Sequence, residues 1–302
     1  VVTCDGKVTH RENLYTFQDE EPEKTVKKTG EVILDSDTGL PETFQDTILV
    51  DSKENDGDHV QVTVMVEDHA GNRSVKESGF FSICSTKPTC TITFEDKANY
   101  LEENYGWYGQ VRTATVVITD RESVFDQEAA TEGLVISGEN ARGESLKLDK
   151  TEISWSTDPK DSNRHIATVI FADNAKYQWS ISYTNKADLG FTWEEAKKIG
   201  ESVQAFTVDQ DAPSGRVTVG VNLWDKILNK LTFGLYSKKT VDVRAEAEDE
   251  TSPVRIQYYK TGNPLAMDEK ELDQQKFKDY QDFSVTSPEQ FVVYLKISDY
   301  AG

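Results

Sequence analysis

Apolar residues in this chain return mostly at every second position. In 59–68, Val60, Val62, Val64 and Val66 share one side of an extended segment. The same alternation runs through 111–120, 164–171, 177–184, 216–221, 240–248 and 290–298. A period of two predicts strands. Further strands are expected at 14–19, 31–35, 46–51, 79–84, 133–137, 151–156 and 254–260. Helical spacing is confined to short stretches. In 192–199, Thr192 and Glu195 make a capping box and Gly200 a stop. In 223–233, apolar residues stand at 223, 224, 227, 228 and 231, and 267–277 is charged and helix-prone. The chain reads as all-β with short helical insertions.

A short motif recurs after three of these strands. It is Asp68-His69-Ala70-Gly71-Asn72, then a looser form around Asn185-Lys186-Ala187, then Asp299-Tyr300-Ala301-Gly302. The alanines are spaced by about 115 residues, the size of one small domain. A second match supports the repeat: 81–94 (FSICSTKPTCTITF) aligns without gaps to 206–219 (FTVDQDAPSGRVTV). Each segment alternates, breaks at a proline and alternates again, as a last strand, a stiff linker and a first strand would. Pro88 and Pro213 lack an amide donor and do not belong in central strands. Boundaries placed there give three domains, 1–87, 88–212 and 213–302, the second with a helical insertion near 192–199. With linkers of a few residues, the three are expected end to end. Asp68 is expected to lock its turn by accepting backbone amides. The third domain is expected to lack its final strand, and the chain reads as a fragment of something longer.

Certain residues resemble a known family. Tyr105, Tyr108 and Arg112-Thr113-Ala114-Thr115, the histidine-containing strand at 164–171 and the closing Tyr183-Thr184-x-x-Ala187 resemble one repeat type of the tandem bacterial immunoglobulin-like repeats in large Gram-positive surface proteins. Trp224, Leu228, Phe233-Gly234, Asp249, Ser252, the 256–259 strand and 294–302 resemble a companion type. Pro253, Asn185 and Asp188 depart from the usual pattern. The resemblance covers about two-thirds of the chain well; 1–87 matches only at its Asp-x-Ala-Gly-Asn turn and last strand. It implies immunoglobulin-like β-sandwiches, an extracellular place at the cell surface or wall, no catalytic residues, and a role as accessory module beside adhesins or glycan-acting enzymes.

Composition narrows the partners. There are 54 acidic and 33 basic residues, a net charge of −21. Such a surface repels nucleic-acid phosphate and anionic lipid. No apolar run approaches the ~20 residues of a membrane span. Neighbouring domains of the same longer chain are expected partners, with a host or dietary glycan or a surface protein as further options. His10, His59, His69 and His165 are scattered, with no metal-ligand or triad motif, and structural roles are expected for them. No enzyme activity and no cofactor are expected.

Three weaker signals carry chemistry. Tyr105, Trp107 and Tyr108 lie beside glycines and are candidate ligand-binding residues for stacking on sugar; the other reading is packing of a turn. Asn55-Asp56-Gly57-Asp58, with Asp51, is oxygen-rich enough for calcium, but a solvated hairpin is preferred. Asp209 and Asp211, with 248–250, are oxygen-rich too. No metal is expected there, because the first linker has Cys84 and Thr86 at those places. Among Cys4, Cys84 and Cys90, only Cys84 and Cys90 are close enough in sequence to be a candidate pair. Three free thiols are the preferred alternative, since bridges are uncommon in such surface arrays, as the resemblance implies.

Overall fold

The computed structural model describes residues 1–12, 31–34, 36–37, 41–68, 70–146, 150–220, 240–262, 265–286 and 291–302. The expected strand at 14–19 and helix at 223–233, with Trp224, Leu228 and Phe233, lie outside them, as does His69. The architecture is all-β. The chain forms two compact units. One comprises Val1–Pro88, Asp120–Asp126 and Thr184–Gly190; the other comprises Thr89–Thr119, Gln127–Tyr183 and Phe191–Gly302.

The first unit starts with a hairpin. Asp5 and Gly6 both take positive φ, 48° and 77°, the backbone a two-residue primed turn requires. They join Val2–Cys4 to Lys7–His10, and Val2–Cys4 pairs antiparallel with Gly57–Glu67. Arg73–Glu77 and Phe81–Ile83 pair with the same long strand. Val2, Cys4 and Val60 form a small core, with Val50, Val62 and Ile83 against it. The valine face is buried only at its start: Val64 and Val66 are exposed. The strand expected at 46–51 does not form. Pro41–Gln45 is the strand, paired with Glu31–Leu34. Asp51 then accepts from the Lys53 amide at 2.9 Å and caps a single helical turn, Ser52–Asn55.

The second unit contains a β-sandwich. One sheet orders Trp155–Asp158, Asp161–Phe171, Arg112–Thr119, Thr89–Phe94 and Lys197–Ile199. The other orders Ser145–Leu146, Leu134–Glu139, Ala175–Ile181, Ala205–Val208, Tyr105–Tyr108 and Tyr100–Glu102. Rings from both sheets meet between them: Phe94 lies 5.9 Å from Trp179 and 5.7 Å from Phe206, and Phe171 lies 5.0 Å from Phe206. The strand Arg112–Thr119 buries every second residue, as its alternation requires. The segment 192–199 is not a helix. Glu195 does accept from the Thr192 amide at 2.8 Å, which closes one turn. Lys197–Ile199 then leaves to pair parallel with Thr89–Phe94, because an edge of that sheet is open to it.

Beyond the sandwich, the described residues of this unit also form two three-stranded sheets. One is Ser214–Gly220, Thr240–Glu248 and Phe283–Thr286; the other is Lys278–Asp279, Val254–Thr261 and Val292–Asp299. Tyr280 links them, accepting from the Ala245 amide and donating to the Val243 carbonyl, each at 2.8 Å. Within 267–277 the helix is a short one, Glu269–Asp273, with a capping box from Asp268 and Glu271.

Candidate functional site

Alternation along Tyr105–Tyr108 sends its aromatic side chains to two faces. Tyr108 points inward and is fully buried; its ring lies 5.9 Å from Phe206 and its hydroxyl donates to the Glu201 carbonyl at 3.1 Å. Tyr105 and Trp107 face outward and are half-buried. The Tyr105 hydroxyl is 2.7 Å from Thr207 Oγ1. Trp107 packs 4.8 Å from Tyr105, 5.6 Å from Tyr100 and 5.2 Å from Tyr300. Tyr100 and Tyr300 are 4.1 Å apart. The ring of the closing motif therefore sits on the outer face of the sandwich. Its neighbours fit equally closely: a side chain at Gly109 would meet the Ala301 carbonyl at 2.4 Å. Trp179 is core, Trp155 only half-buried, its Nε1 donating to Thr131 Oγ1 at 3.1 Å.

Arg112 is fully buried, with its guanidinium carbon 3.8 Å from the Tyr108 ring centre, 3.9 Å from Phe94 and 4.3 Å from Phe206. It donates to the Ser202 carbonyl at 2.8 Å, to the Glu201 carbonyl, and to Asp96 at 3.3 Å. Burial pulls its pKa below the ordinary arginine value, while Tyr108 and Asp96 oppose that.

The closing motif also brings carboxylates together. Asp209 follows Ala205–Val208, Asp249 follows Thr240–Glu248, and Asp299 ends Val292–Asp299. One oxygen from each lies within 4.8 Å of the others. Asp209 and Asp299 are buried and Asp249 is half-buried. Each Oδ1 accepts from a backbone amide two or three residues on: Asp211 at 3.3 Å, Thr251 and Ser252 at 2.8 Å, and Gly302 at 2.6 Å. Asp209 Oδ2 and the buried Ser252 hydroxyl have no hydrogen bond of normal geometry. Burial raises the Asp209 carboxyl above its usual range; the nearby Ser252 hydroxyl and the Asp211 amide oppose this, and the Asp249 charge adds to it. Burial, then the Asp249 charge, push Asp299 up as well. One cleft of about 440 Å³ is lined by Asn99, Gly109, Asp209, Asp299 and Gly302. Another of about 390 Å³ is lined by Asp211, Glu248, Asp249, Glu250 and Thr251. Asp209 and 248–250 are grouped by their sequence, whereas Asp299 joins them only in the fold. The available signal is the aspartate that opens the closing motif at a strand end.

The first unit holds counterparts of these three positions. Cys84 aligns with Asp209, Asp120 follows its strand as Asp249 does, and Asn185 occupies the motif position of Asp299. Here Asn185 Nδ2 donates to Asp120 at 3.1 Å, and its Oδ1 accepts from the amides of Ala187 and Leu189. Beside them Arg121 reaches the Ile83 carbonyl at 2.8 Å, Asp58 at 3.5 Å and Asp56. Asp56 also accepts from Ser85 at 2.7 Å and Thr86 at 2.9 Å. Burial alone would raise the Asp56 carboxyl; the Ser85, Arg121 and Thr86 hydrogen bonds outweigh it and hold it low. The 55–58 acids thus serve an arginine rather than forming a solvated hairpin.

Asp68 locks its turn as expected, accepting from the Asn72 amide at 2.8 Å. His10 lies 3.2 Å from Glu12, His59 3.4 Å from Asp5, and His165 is buried in a strand. Cys4, Cys84 and Cys90 are free thiols, and burial pushes Cys90 up to about 12. No helix among the described residues is long and apolar enough to cross a membrane. Compared with protein-family models and with curated proteins, the chain matches none.

Proposed function

We propose that the chain is a non-catalytic stalk or presentation module of a large bacterial cell-surface protein, extracellular, built of tandem immunoglobulin-like sandwiches divided near 87 and 212. The observation that carries this reading is the use made of the recurring motif. In its last copy Tyr300 packs on Tyr100 and Trp107, Ala301 is buried, and Asp299 meets Asp209 and Asp249. A recurring motif whose last copy fastens sheets together suits an array whose work is mechanical. The short interval between strands Ala205–Val208 and Ser214–Gly220, with Pro213 in it, supports a stiff passage from one set of sheets to the next. The partners on this reading are neighbouring domains of the same chain.

A second reading, an adhesin or carbohydrate-binding module, is favoured by one observation: Tyr100, 40% exposed, and the half-buried Tyr105 and Trp107 form an aromatic patch. A glycan array probed with the purified chain separates the two. The stalk reading expects no glycan retained. A glycan bound by the chain and lost on Trp107→Ala overturns it in favour of the second.

A further inference from the structure

We propose that Asp209, Asp249 and Asp299 bind a hard divalent cation, calcium by preference, with the Ser252 hydroxyl as a fourth oxygen. The inference stands whether or not the stalk reading holds.

Three carboxylates whose nearest oxygens lie within 4.8 Å repel one another, and burial of two strengthens the repulsion. The backbone amides on each Oδ1 keep the groups from turning away. Among the described residues no Lys, Arg or His forms an ion pair with any of the three. The site also holds two buried oxygens without a hydrogen bond of normal geometry, Asp209 Oδ2 and Ser252 Oγ. Buried polar atoms left unmatched are rare, and a ligand that accepts lone pairs satisfies both. A cation does so; an anion or a sugar hydroxyl does not relieve the repulsion.

The chain supplies its own comparison. At the first-unit counterparts, cysteine and asparagine replace two of the three aspartates, the Asn185 amide serves Asp120, and the Arg121 guanidinium provides fixed positive charge alongside. There the acids Asp56 and Asp58 are paired with a fixed cation. Where three acids meet, no such group is seen among the described residues.

Ligand chemistry selects the ion. An all-oxygen set suits calcium or magnesium, not zinc or copper. Oxygens on one calcium at about 2.4 Å lie at most about 4.8 Å apart, which matches the trio; magnesium at about 2.1 Å demands a tighter, more regular shell. The two clefts lined by these aspartates give water access to complete six to eight ligands. The bound ion would tie together the ends of three strands from three different sheets.

The test uses the whole chain, stripped with chelator and titrated with calcium chloride. Trp107, Trp155, Trp179 and Trp193 lie in the described part of the second unit, so tryptophan emission reports its melting. The expected result is a rise in Tm of about 5 °C or more at saturating calcium, with smaller effect from magnesium. Asp249→Asn and Asp299→Asn are expected to lose it, and Asp56→Asn to keep it. No rise at 10-fold excess over about 1 mM calcium, or a rise kept in both trio variants, overturns the proposal. Should the variants fail to fold, terbium on the wild-type chain decides: Tyr300 adjoins Asp299, so bound terbium is expected to show tyrosine-sensitised emission displaced by calcium. Terbium emission absent, or present but not displaced by calcium, overturns it.

Discussion

Replacing Arg112 by alanine removes a cation from inside the sandwich, and the structure sets the size of the effect. Three ring faces lose a cation–π partner, each worth about 0.5–2 kcal/mol. The Ser202 carbonyl loses its donor, at about 1–3 kcal/mol if left buried and unpaired, while the Glu201 carbonyl keeps the Tyr108 hydroxyl. Asp96, 14% exposed at its side chain, loses its partner 3.2 Å away. Against these stands the cost of burying the guanidinium, several kcal/mol, which the variant no longer carries. The terms do not add, and the net expected loss is about 3–5 kcal/mol, the usual result of orphaning half of a buried pair. Urea unfolding followed by tryptophan emission is expected to show the midpoint falling by about 1–2 M. Adding Asp96→Asn should recover about 1–3 kcal/mol, measured as coupling in a double-mutant cycle. A loss below about 1 kcal/mol for Arg112→Ala, or zero coupling to Asp96, would refute the view that Arg112 is a structural clamp.

Other outcomes follow from the same geometry. Gly133→Ala should destabilise the second unit by about 2–3 kcal/mol, because a Cβ there meets the Ser182 carbonyl at 1.8 Å; a neutral effect in urea unfolding contradicts it. In the folded chain at pH 8, the buried Cys90, raised to about 12, should react with a thiol reagent far more slowly than Cys84, and after unfolding all three thiols should titrate. Asp56 is held below its usual range, so its contribution is present above pH ~4 and lost as pH falls through its folded value. Amide exchange at 83–86 should therefore accelerate below pH ~4 in the wild type, and Asp56→Asn should show fast exchange already at neutral pH. Tyr300→Ala should expose the 209–213 passage to limited proteolysis, and an unchanged cleavage pattern would count against Tyr300 as a fastener.

Periodicity made the strands legible wherever both faces had distinct environments. Arg112–Thr119 is the clearest case, since alternate residues meet the core. The Asp68 turn was legible because its logic is local. The 192–199 segment misled because its capping box is real, while its continuation is decided by a sheet edge distant in sequence. Asp46 and Asp51 accept backbone amides and divert 46–51 from strand. Tyr105–Tyr108 reads as a loop beside glycines, yet Gly106 is needed for close packing: a Cβ there meets Ser202 Oγ at 2.8 Å. Arg112 shows as part of a motif but not as buried, since nothing local announces three rings from three strands. The aspartate trio was half-legible. Asp209 lies in the linker and 248–250 in the domain after it, but Asp299 arrives from a strand end about 50 residues on, and only the pairing of sheets brings it there.

The most direct measurement is an anomalous difference map from a crystal of this chain grown with calcium or soaked in terbium. A peak is expected about 2.3–2.6 Å from oxygens of Asp209, Asp249 and Asp299, with Ser252 Oγ turned toward it. Peaks confined to other surface acids, with none at the trio, would contradict it.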